Sequence, residues 1–160
     1  MSTGSWRRLS ASHCDPPEAR SRYERIKIMK IKKIEHIGIA VKSIKDAMKF
    51  YGDILNLGLS EIVEIPNRKL RIAFIEFSGT KLELLESMGE GSVIDKFIQK
   101  KGEGIHHICF EVEDFDRAVS ELKDKKVEFV DEPRIGDEGK KIVFLQPKSA
   151  FGVLIELKEK

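Results

Sequence analysis

The chain has 160 residues, of which 41% are apolar and 35% charged, with a net charge of +2 and two cysteines. That length builds one domain or two small modules sharing a core, and the composition is that of an ordinary globular protein. No apolar run is long enough to span a bilayer, so a membrane role has no support, and two cysteines are too few for a disulfide framework and suit a reducing compartment.

The charge is unevenly spread. Residues 1–28 carry five arginines and Lys27 against Asp15, Glu18 and Glu24, a balance of +3, so the remainder carries −1 and has no nucleic-acid footprint. This leader has adjacent Pro16 and Pro17, several serines and no apolar periodicity, and is expected to be disordered. Its arginines and serines suggest an organelle transit peptide, but its three acids count against one. Met29, directly before the structured pattern, reads more simply as a second start. A cytoplasmic location is expected, with the mitochondrial matrix as the alternative if the leader is a transit peptide.

The first predicted element is a strand through Ile34-Glu35-His36-Ile37-Gly38-Ile39-Ala40-Val41. Ser43-Ile44-Lys45-Asp46 then has the form of a helix capping box, and Ile44, Ala47, Met48 and Tyr51 fall on one helical face. Leu57-Gly58 closes that helix. Strands are expected at 59–65, 70–77 and 80–87, with turns at Pro66-Asn67 and Ser78-Gly79. Ser92 opens a short connecting helix that ends near Gly102.

The pattern then repeats. Ile105-His106-His107-Ile108-Cys109-Phe110-Glu111-Val112 puts His107 71 residues after His36. Asp114 caps a second helix with Phe115, Ala118, Val119 and Leu122 at the same offset, closed by the lysine run 123–126. Strands at 127–131, 140–146 and 152–158 follow, separated by 133–139 and 147–152. Each half therefore reads βαβββ. The expectation is an α+β fold in one domain, 29–160, with module one at 31–88, a linker helix at 89–102 and module two at 103–158.

Strand alternation directs the candidate ligands. Ile37, Ile39 and Val41 are expected to face the helix, leaving His36, Gly38 and Ala40 opposite. Ile108, Phe110 and Val112 leave His107 and Cys109 opposite. Leu82 and Leu84 do the same for Glu83, and Val153, Ile155 and Leu157 for Glu156. His106 is expected to turn away and pack, and Glu111 to sit at the rim. Small Gly38, Ala40 and Cys109 leave room for a ligand. Two imidazoles and two carboxylates on one face suit Co²⁺, Ni²⁺, Mn²⁺ or Zn²⁺, with open positions for water or substrate.

These features resemble the vicinal oxygen chelate superfamily and, within it, the methylmalonyl-CoA epimerase family. The resemblance covers residues 31–158. It is carried by Glu35 to Val41, by Gly102-Glu103-Gly104-Ile105-His106-His107-Ile108, by Asp131-Glu132-Pro133-Arg134, and by Gln146-Pro147-Lys148-Ser149 with Gly152 to Leu157. It implies a cleft formed by both modules and a divalent ion, Co²⁺ favoured, held by His36, Glu83, His107 and Glu156. It implies epimerisation of methylmalonyl-CoA at C2, in which the ion's charge stabilises the enolate left by proton loss. The partners implied are an acyl-CoA substrate and a second copy in a homodimer. Some bacterial members carry Gln at the position of Glu83 and a separate, non-ligating Glu at the position of Ile72. Isoleucine cannot shuttle a proton, so Glu83 and Glu156 are expected to be the two catalytic bases, with Glu76 as the substitute for Glu83. Arg134 or Lys148 would meet the substrate's phosphates. The alternatives are a glyoxalase I-type lyase, which uses the same four residue types, and a non-catalytic binding protein of the superfamily.

Overall fold

The two halves of the chain meet along one antiparallel ladder, β1 (Ile31–Val41) against β5 (Gly104–Val112). The computed structural model describes residues 29–160, and the arginine-rich leader lies outside the described residues. In module one, β1 leads into α1 (Ile44–Met48), which widens into a π-type turn over Lys49–Ile54. Then come β2 (Leu59–Ile65), β3 (Leu70–Phe77) and β4 (Thr80–Ser87). The connecting helix α2 (Val93–Lys101) leads to β5, α3 (Phe115–Asp124), β6 (Arg134–Ile135), β7 (Lys141–Leu145) and β8 (Ile155–Glu159). One eight-stranded sheet results, in the order β2-β3-β4-β1-β5-β8-β7-β6. In both halves the first strand lies parallel to the last, β1 with β4 and β5 with β8.

The expected caps form. Ser43 accepts from the Asp46 amide, Ser92 from Asp95 and Asp114 from Arg117, which satisfies a free donor at each helix start. The apolar stripes bury as their spacing requires. Ile44, Ala47, Met48 and Tyr51 pack on Val41, Ala73, Ile75 and Leu84. Phe115, Ala118, Val119 and Leu122 pack on Val112, Val143 and Leu157. A third cluster, Ala40, Leu70, Ile72, Leu85 and Ile94, lies on the opposite face of the sheet under α2. Ala40 therefore fills core and does not leave open space.

Two strands differ from expectation. No regular strand forms at 127–131. Phe129 makes a single bridge to Leu145, and β6 pairs further along β7, Arg134 with Ile142. Between these contacts the outer chain advances five residues (129 to 134) while β7 advances three (145 to 142), so two residues are extruded. Pro133 falls in that stretch and has no amide to donate. β8 begins at Ile155, later than the expected 152. Phe151 and Gly152 have φ of 52° and 92° and hold the chain in a turn first.

Leu84 and Leu157 are 0% and 1% exposed, one in each module's outer core. Leu84→Ala and Leu157→Ala should each lower the unfolding free energy by about 2–5 kcal/mol. Because β1 and β5 join both halves in one sheet, denaturant unfolding followed by circular dichroism should give one transition in each variant, not the loss of one half.

Candidate metal centre

Register brings the candidate ligands together. Gly38 lies beside Glu83 across β1–β4, and Cys109 beside Glu156 across β5–β8. Across the central ladder His36 faces Cys109 and Gly38 faces His107. His36 Nε2 is 2.9 Å from His107 Nε2 and 3.3 Å from Glu156 Oε2, and His107 Nε2 is 3.1 Å from the same oxygen. Adjacent ligands of an octahedral ion with bonds of about 2.1 Å stand about 3 Å apart, so this triangle fits one face of a divalent ion's shell. Glu83 differs. Its Oε1 is 3.3 Å from His36 Nδ1, on the far side of the ring. Three of the four expected ligands thus meet at one point, and the fourth lines the same cavity without reaching it.

Gly38 is what lets the rings meet. A Cβ at this position would collide with Cε1 and Nδ1 of His107, so the imidazole occupies the volume that any other residue would claim. The expected room for a ligand is here filled by a ligand-bearing side chain.

Two residues that alternation assigns to the wrong side also enter the site. The β1–β5 register slips at Glu35, between Ile34 paired with Phe110 and His36 paired with Cys109. It slips again at His106, between Gly38 paired with His107 and Ile39 paired with Ile105. Each slip is a one-residue bulge, which re-aims a side chain. Glu35 is buried with its carboxylate against His36 Nδ1. His106 lines the cavity, with Nδ1 2.9 Å from His107 Nδ1. His106 does not turn away as alternation requires. The one sequence clue is that each precedes its histidine at the repeat offset.

Charge in the centre is strongly coupled. Burial works against a proton on His36, but Cys109, Glu156, Glu35 and Glu83 together hold the ring up to about 12. Burial would raise Glu156, but hydrogen bonds and charge from both histidines bring it down to about 2. Burial also opposes Glu35, which His36 and Lys158 carry down to about 2. Glu83 shifts the other way: burial pushes it above the usual carboxylate range, and the nearby histidines only partly offset this. Burial lowers His106 to about 4 and raises the Cys109 thiol to about 11, so Cys109 is no ready nucleophile.

The centre opens into a cavity of about 290 Å³ between Ile72, Phe74 and Leu85 of module one and Ile142 and Phe144 of module two. Residues 35–144 match the model of the glyoxalase/bleomycin resistance protein/dioxygenase superfamily. The chain is 40% identical over 134 residues to mitochondrial methylmalonyl-CoA epimerase of Mus musculus, covering 82% of this chain and 75% of that protein. It is 38% identical over 132 residues to the ethylmalonyl-CoA/methylmalonyl-CoA epimerase of Cereibacter sphaeroides, covering 81% and 98%. The chain belongs to the methylmalonyl-CoA epimerase family. A solved structure of methylmalonyl-CoA epimerase in complex with methylmalonyl-CoA and NH4+ superimposes with a TM-score of 0.73 at 34% identity, covering 82% of this chain and 96% of that one.

In this member of the epimerase family several expected groups stand elsewhere. Lys148 pairs with Glu128, and Arg134 lies over the Phe144 ring, 5.9 Å from its centroid. Arg68, which the sequence did not suggest, lines the cavity together with Lys140 and is paired there with Asp137. Glu111 faces Lys33, 3.9 Å away, and Glu76 is exposed near Lys81. Neither lines the cavity. Ile72 does, buried and apolar.

Gly38→Ala should therefore cost about 1–3 kcal/mol through overpacking and displace the His107 ring. Gly58→Ala, where a Cβ meets nothing within 4 Å, is the matched control. Thermal melts and cobalt titration of both variants check this: only the first should lose stability and cation affinity.

Proposed function

We propose that this chain interconverts the C2 epimers of methylmalonyl-CoA at a centre held by His36, His107 and Glu156, which Glu83, here beside the far nitrogen of His36, would complete as fourth ligand by turning toward the ion. The observation that carries this is the meeting of the two imidazole Nε2 atoms and the Glu156 carboxylate within 3.3 Å of one another at the floor of the cleft between the modules. The ion is Co²⁺ by preference, with Mn²⁺, Ni²⁺ and Zn²⁺ compatible with the same nitrogen and oxygen donors. Once bound, it supplies positive charge where negative charge develops as the C2 proton leaves.

The chain's own residues supply the rest. Glu83 and Glu156 come from strands on opposite sides of the central β1–β5 pair, one from each module. One carboxylate takes the C2 proton from one face and the other carboxyl group returns a proton to the opposite face, with the roles exchanged for the other epimer. Ile72, Phe74, Leu85 and Phe144 exclude water around the acyl group. Arg68 and Lys140 at the cavity wall supply cations for the phosphates of the CoA tail.

Exchange of deuterium from solvent into C2 of methylmalonyl-CoA should be fast, abolished by a chelator and restored by Co²⁺. Turnover of methylglyoxal with glutathione in its place would move the reading to a glyoxalase. Glu83→Gln should keep the His36, His107 and Glu156 triangle and still bind the cation, while kcat falls by about 10²–10⁴. Full activity of that variant with cation bound would remove Glu83 from the role of base.

A further inference from the structure

We propose that Glu35 is a positioning residue for the ligand His36, with Lys158 and Glu138 holding it in place. This rests on the reading of His36 as a metal ligand. A glutamate beside an imidazole in a regular strand would point to the opposite face. The bulge at residue 35 gives up one regular pairing and turns the carboxylate inward, against His36 Nδ1. A carboxylate there keeps the ring proton on Nδ1, which leaves the lone pair on Nε2, the atom that meets His107 and Glu156. Ring tautomer and ring plane are fixed by the same contact.

A buried carboxylate needs more than one imidazole N–H. Lys158 Nζ lies 3.2 Å from Glu35 Oε1, and Lys81 Nζ lies 3.6 Å away. Lys158 is only 7% exposed and is held in turn by Glu138 Oε2 at 2.7 Å. The network therefore runs from the ligand ring to the 136–139 turn at the cavity wall. Module two arranges its ligand in the same way with a different residue. Its own bulge sets His106 Nδ1 2.9 Å from His107 Nδ1. In both halves the bulged residue just before the ligand occupies the ring nitrogen that faces away from the shared point.

The test uses the purified full chain, titrated with Co²⁺ in competition with a chelating dye, with the visible Co²⁺ spectrum and thermal melts as readouts besides activity. Glu35→Gln should weaken Co²⁺ binding about 10–100-fold and alter its absorption bands. Because that change takes one of its two carboxylate partners from the buried Lys158 ammonium and leaves only Glu138, Glu35→Gln with Lys158→Met is the companion variant. It should regain the melting temperature while cobalt affinity stays weakened. If affinity returns together with stability, Glu35 serves only to neutralise Lys158 and the proposal is overturned. Wild-type affinity and spectrum in Glu35→Gln would overturn it too, with the metal centre intact. A wild-type chain that takes up no divalent cation would sink the centre and the proposal together.

Discussion

The central ladder between β1 and β5 sets Gly38 opposite His107, and every feature of the centre depends on that pairing. Two imidazole nitrogens separated by 71 positions approach to 2.9 Å here with the His107 ring seated where a Cβ at Gly38 would lie. The ladder joins the modules, and the missing Cβ makes the room. Since one-residue slippage sends every side chain on a strand to the other face, the outer cores on Leu84 and Leu157 lock the register that the site requires.

The fold concentrates its buried polarity in one place. Among the described residues the buried charged or imidazole side chains are Glu35, His36, Glu83, His107, Glu156 and Lys158, all within this centre and its supports. Isolated, each would be costly to desolvate. Together they offset one another, and the directions of their shifts record it: Glu35 and Glu156 are held low by histidines and lysine, while Glu83, with burial as its largest influence, is pushed up. The carboxylate of Glu156, which lies against both imidazoles and offsets their charge, is also of the kind suited to holding a cation.

Duplication explains both the resemblance and the difference between the halves. Register repeats closely: Gly38 beside Glu83 corresponds to Cys109 beside Glu156, and Phe74 beside Glu83 to Phe144 beside Glu156. The halves part at the bulged residues, acidic at 35 and imidazole at 106. They part again at the outer edge, where module two replaces a full strand by the Phe129 bridge and the two-residue β6. A twofold-like scaffold can thus carry a centre with distinct sides, as a reaction that treats two faces of one carbon differently requires.

The amino-acid order by itself determined the paired βαβββ plan, the caps, the helix faces and the identity of the four candidate ligands. These depend on local periodicity and on a repeat that can be counted along the chain. Tertiary structure alone decided the rest. The bulges at Glu35 and His106 arise from pairing between strands about seventy residues apart, and a period-two pattern within one strand holds no trace of them. The same holds for Arg68 at the cavity wall and for the lapse of the strand expected at 127–131. Whether three or four ligands converge is also set by side-chain packing across strands, and that is where Glu83 parts from the other three, 3.3 Å from the far nitrogen of His36.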